Sequence, residues 1–134
     1  CISNFTKMDW LNLNNSKIKD ISFLSGLTDI QTLYLTENQI TDISALSDFT
    51  KMHSLYLNHN QISDISILKN WKTLVNLDLS YNQITDVSPL SDLKLVEMLD
   101  LSPNPIKNIE LLEPLAELIK ERQRKSRDSF DWHF

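Results

Sequence analysis

The chain has 134 residues, 41% apolar and 23% charged, with one glycine and four prolines; this fits a single folded domain with one core and excludes collagen-like and low-complexity classes. The formal net charge is -5, and residues 1–119 carry eight Lys/Arg against fifteen Asp/Glu, which argues against a phosphate-binding groove there. Cys1 is a lone cysteine and leaves the redox compartment open, and no apolar run is long enough to span a bilayer.

From the N-terminus, Ile2, Phe5 and Met8 show the spacing that recurs at Leu24, Leu27 and Ile30, so the chain opens inside a repeat and upstream sequence is expected. The period is 22 residues. Each unit begins with a Leu-x-Leu pair: Leu11 and Leu13, Leu33 and Leu35, Leu55 and Leu57, Leu77 and Leu79, Leu99 and Leu101. Spacing of two puts both leucines on one face of a strand, which predicts five strands. An asparagine follows at Asn38, Asn60, Asn82 and Asn104, with Ser16 in its place in the first unit. Its amide can both donate to and accept from backbone groups where the chain leaves the strand, so these four are expected to form a structural ladder, and the Ser16 turn to be looser.

Further along each unit, Asp20, Asp42, Asp64 and Asp86 precede an Ile or Val and then a serine, a composition suited to turn bonds and caps. Stacked carboxylates could also ligate calcium, but each aspartate has a local capping task and no glycine-rich calcium motif accompanies them. No metal or other cofactor is expected. Columns such as Leu27, Phe49, Trp71, Leu93 and Leu115 complete the predicted core. After Pro103, Pro105 and Asn108 break the pattern, residues 110–125 have apolar positions at Leu111, Leu112, Leu115, Leu118 and Ile119; this spacing predicts a capping helix with Pro114 in its first turn. The repeats thus occupy residues 1–109, and the cap and tail residues 110–134.

These units, above all NQITDISALSDF, NQISDISILKNW and NQITDVSPLSDL, resemble the 22-residue bacterial internalin-like class of the leucine-rich repeat family. The resemblance implies an α/β leucine-rich repeat solenoid: a right-handed coil with a concave parallel sheet and short 3₁₀ or extended convex segments. It also implies an extracellular or cell-surface setting, although cytoplasmic residence remains open from composition.

Catalytic signatures are missing. The three histidines form no metal-ligand spacing, Gly26 alone cannot build a phosphate loop, and Asp78 and Asp100, neighbours on adjacent strands, lack a water-excluded pocket. The chain is therefore expected not to be an enzyme.

Side chains beside the leucines point to the concave face, and this selects Trp10, Tyr34, Tyr56, His59, Asp78, Tyr81 and Asp100 as partner-binding candidates, aromatic in one half and acidic in the other. Parallel sheets are normally covered on both faces, so a protein partner is expected there. The bare footprint of five short strands is about 300 Å², below the roughly 800 Å² per partner of a standard interface; weak binding or a longer array follows. The alternative is a structural spacer, the end of a larger protein with no ligand of its own. Lys120, Arg122, Arg124, Lys125 and Arg127, followed by Phe130, Trp132 and Phe134, could attract nucleic acid, but a solvated helix end with aromatics folded on the cap fits an acidic body better.

Overall fold

The computed structural model describes residues 8–129. Five three-residue strands, β1 (Trp10–Asn12), β2 (Thr32–Tyr34), β3 (Ser54–Tyr56), β4 (Asn76–Asp78) and β5 (Met98–Asp100), form one parallel sheet in sequence order. Register is strict: Leu11 pairs with Leu33, Leu33 with Leu55, Leu55 with Leu77 and Leu77 with Leu99. A slip by one residue would turn every leucine outward, so burial of this column fixes the pairing.

On the opposite side, each repeat makes a 3₁₀ turn: Ser22–Leu24, Ser44–Leu46, Ser66–Asn70, Ser88–Leu90 and Ile109–Leu112. Only about nine residues separate each Asp-Ile-Ser or Asp-Val-Ser triplet from the next strand, too few for an α-helix with its turns. Asp20, Asp42, Asp64 and Asp86 each accept the N–H of the serine two residues on, at 2.8–2.9 Å. The Ser22, Ser44 and Ser66 backbone bonds hold the first three carboxyls below their ordinary value; for Asp86 the Asn108 amide comes first and the Ser88 N–H second.

Between sheet and turns runs one core. Ile30, Met52, Leu74 and Val96 are fully buried, as are Phe49 and Trp71, while Leu11 and Leu13 at one end and Leu99 and Leu101 at the other are only partly covered. Leu112 and Leu115 continue this core into α1 (Glu113–Ser129).

The predicted helix starts three residues late. Its first turn is the 3₁₀ turn Ile109–Leu112, at the convex position of every other repeat, and α1 begins at Glu113 with Pro114 second. There the missing proline N–H has no intrahelical partner to lose. Leu111 consequently points outward, 43% exposed, instead of joining the buried stripe. Arg122 Nη1 donates to Val96 O at 2.9 Å and clamps α1 onto the last repeat. Even so, the cap leaves an apolar groove of about 480 Å³ between Leu99, Leu101, Ile109, Leu112, Leu115 and Ile119.

Other basic residues of α1 are engaged on the helix itself: Lys120 pairs with Glu117, while Arg124 and Lys125 both pair with Glu121. The Arg127 side chain, Phe130, Trp132 and Phe134 lie outside the described residues, as do Ile2 and Phe5. No described helix is long and apolar enough to cross a membrane.

Candidate partner-binding face

The face rests on the asparagine ladder. Asn38 Oδ1 accepts Ser16 N and Ile18 N, both at 3.0 Å, and its amide donates to Leu13 O and Leu35 O. Asn60, Asn82 and Asn104 repeat the arrangement, each bridging the carbonyl of its own second leucine and that of the preceding repeat. These bonds satisfy carbonyls that the three-residue strands leave without ladder partners. In the first unit, the Ser16 hydroxyl bonds locally to Asn14 O, and Lys17 adopts a left-handed backbone, φ 56°, unlike its equivalents. That turn is wound differently rather than simply loosened.

A second column precedes the asparagines. Asn15, Glu37, His59 and Tyr81 all have left-handed backbone, with φ between 53° and 59°. For Glu37 and Tyr81 this conformation is strained, whereas asparagine and histidine adopt it more readily. At the first three positions, Asn15 N, Glu37 N and His59 N donate to Thr36 O, Asn58 O and Ser80 O of the next repeat. Pro103 occupies the fifth position and, with φ fixed near −65°, cannot continue the column.

On this frame sit the seven candidates, in three groups. Tyr34 and Tyr56 stack with ring centroids 4.8 Å apart and planes within 4°, and Trp10 meets the Tyr34 ring edge-on at 6.0 Å. His59 and Tyr81 stack at 4.1 Å along the left-handed column. Asp78 and Asp100 continue the Tyr34–Tyr56 column onto β4 and β5. Trp10 and Tyr81 are about half exposed, at 54% and 53%.

Asp78 Oδ1 accepts Ser80 N at 3.0 Å and the Ser80 hydroxyl at 2.7 Å, and Asp100 Oδ1 accepts Ser102 N at 3.1 Å. In β1 the equivalent residue is Asn12, whose Oδ1 accepts Asn14 N at 2.9 Å. An uncharged oxygen meets the same structural need.

Two features of the face were not foreseen. Ser54, although beside Leu55 on the concave side, is buried, its hydroxyl held between His53 Nδ1 at 2.9 Å and the Asn76 amide at 3.0 Å. Thr36 likewise bonds Asn58 and Asn14, through its hydroxyl and its N–H respectively. Much of the floor is thus a closed polar network, and the aromatic rings and carboxylates stand above it. A polar side chain on every strand was the only hint in the sequence. Among the described residues, no three His, Cys, Asp or Glu side chains are grouped as a metal site would require.

The family description "Leucine Rich repeats (2 copies)" matches residues 6–48, 30–70 and 72–117. The chain belongs to the leucine-rich repeat family. Its repeats are of the bacterial internalin-like class: the chain is 37% identical to an internalin, InlF, of Listeria monocytogenes over 87% of its own length and 34% of that chain, with a TM-score of 0.82. Internalin C2 of the same species is 35% identical over 85% of this chain and 50% of that one, with a TM-score of 0.81. A leucine-rich repeat protein of Leptospira interrogans shares the fold at 20% identity over 90% of this chain and 37% of that one, with a TM-score of 0.73. The leucine-rich repeat array thus spans about a third to a half of these structures. No curated protein matches its sequence.

Proposed function

We propose that this leucine-rich repeat array is a non-catalytic module that binds a protein partner through Trp10, Tyr34, Tyr56, His59, Asp78, Tyr81 and Asp100. One observation carries the reading: Tyr81, stacked on His59, stands exposed on strained left-handed backbone that asparagine, as at Asn15, would occupy with less strain. Strain held by the surrounding structure is a pointer to function rather than to stability. Exposed, rigid aromatics are also the side chains that anchor interfaces. The pairing of Lys120, Arg124 and Lys125 with glutamates and the bond from Arg122 to Val96 favour this reading over nucleic-acid binding.

The test is capture of a protein partner by the wild type and by the Tyr34→Ala, Tyr56→Ala double variant. Loss of capture supports the concave face as the site. Capture that survives the double substitution, or no partner at all, assigns the array the role of a spacer in a larger protein.

A further inference from the structure

The binding face is chemically one-sided. Its columns hold Asp9, Glu37, Asp78, Glu97 and Asp100, and neither a lysine nor an arginine stands in any of them. None of these five carboxylates makes an ion pair among the described residues; the ion pairs present join Asp29 to Lys51 and Glu117 and Glu121 to α1 cations. The face thus carries negative charge with no cation among its own columns to compensate it.

Folding does not require that charge. Asn12 makes the same turn bond as Asp78 and Asp100 without it, and Asn15 occupies the backbone conformation of Glu37 with less strain. Uncompensated negative charge beside the Tyr34–Tyr56 and His59–Tyr81 rings complements a cation with a flat, weakly hydrated head. Guanidinium meets both demands, stacking on aromatic faces and pairing with carboxylates in a bidentate fork.

Resting on the proposal that this face binds protein, we infer that its partner presents a cationic, arginine-bearing segment that crosses the sheet from β2 to β5, with its positive charge over Asp78 and Asp100. Neighbouring strands lie about 4.8 Å apart, so an extended segment of about four to five residues spans from Tyr34 to Asp100.

The experiment is selection of a displayed library of random twelve-residue peptides on the whole chain, on Asp78→Asn/Asp100→Asn and on Tyr34→Ala/Tyr56→Ala. Asparagine already serves at the equivalent position in β1, so the first variant retains the fold. Enriched peptides are expected to carry arginine and net positive charge, to bind the Asn variant about tenfold or more weakly, and to lose affinity as salt is raised. Peptides without basic residues that bind the wild type but not the Tyr variant would overturn the cationic partner and leave the face as a protein-binding site. Basic peptides held equally by all three proteins would overturn both readings, and a selection with no enrichment of basic residues would overturn this one.

Discussion

Asn60 donates to Leu35 O of the preceding repeat at 2.9 Å, and the same amide holds Leu57 O of its own repeat at 2.9 Å while its oxygen accepts Ile40 N. Asn60→Ala strands Ile40 N in the core and leaves Leu35 O and Leu57 O with one donor each, from Asn38 and Asn82. With a penalty of about 1–3 kcal/mol for the unsatisfied N–H and about 0.5–1.5 kcal/mol for each of the two lost bonds, the substitution is expected to remove about 2 kcal/mol or more of stability. Asn60→Asp keeps the acceptor but loses both donors, so it too is destabilised. Urea denaturation of the three proteins checks this order; an alanine variant as stable as the wild type would show the ladder to be dispensable.

Tyr81 pays for its exposed ring with left-handed backbone. Tyr81→Asn is expected to raise stability by up to about 1 kcal/mol, because asparagine tolerates that conformation. Partner binding should fall in the same variant, since the ring stacked on His59 is gone. Thermal melts and a binding titration on one preparation separate the effects. A stability loss would mean that the stack matters more than the strain.

Trp71 is fully buried, and its indole N–H finds no hydrogen-bond partner. Phe49 fills the equivalent place one repeat earlier. Trp71→Phe therefore gives up packing volume but relieves an unsatisfied donor, and its stability should stay within about 1 kcal/mol of the wild type. Trp71→Ala, which only opens a cavity, should lose about 3–5 kcal/mol. Denaturant midpoints at unchanged m-value decide between them.

The convex aspartates set the acid limit. Asp20, Asp42 and Asp64, held by serine N–H groups, and Asp86, held by Asn108 and then Ser88, titrate lower in the fold than in the unfolded chain. The unfolded chain binds more protons as pH drops, so this contribution is fully present above the ordinary carboxylate value of about 3.9 and is lost as pH falls through the folded values. The melting temperature should fall below about pH 4. Asp64→Asn keeps an acceptor for Ser66 N without a titrating group, so a melting curve from pH 2 to 6 should show a shallower decline. An equally steep decline would place the acid sensitivity elsewhere.

The sheet, its register and the buried columns could be read from the sequence because identical chemistry recurs at a fixed interval, as at Leu33, Leu55 and Leu77. The left-handed column could not, since Asn15, Glu37, His59 and Tyr81 share a conformation and nothing else. At Asn15, Glu37 and His59 it accompanies backbone bonds to the next repeat, a link that residue identity does not reveal. The start of α1 was hidden for a related reason: Leu111 continues a helical spacing, but the chain first completes the convex turn its predecessors make. Asn108 read as a departure from the aspartate column, yet it accepts Val87 N and donates to Asp86, tying the last turn to the one before. The placing of Trp10, Tyr34 and Tyr56 beside the buried leucines followed from strand alternation. The burial of Ser54 depended on cross-strand neighbours that a linear reading does not rank.

Every asparagine of the ladder reaches backward, to a carbonyl and an amide of the repeat before it. The coil therefore has a direction. A chain synthesised from its N-terminus cannot finish one coil until the asparagine of the next has emerged, so the growing end always carries one unsealed repeat. Synthesis at about 5–20 residues per second then sets a wait of roughly one to four seconds per repeat, during which the newest coil relies on the ribosome's surroundings to keep its core from other chains.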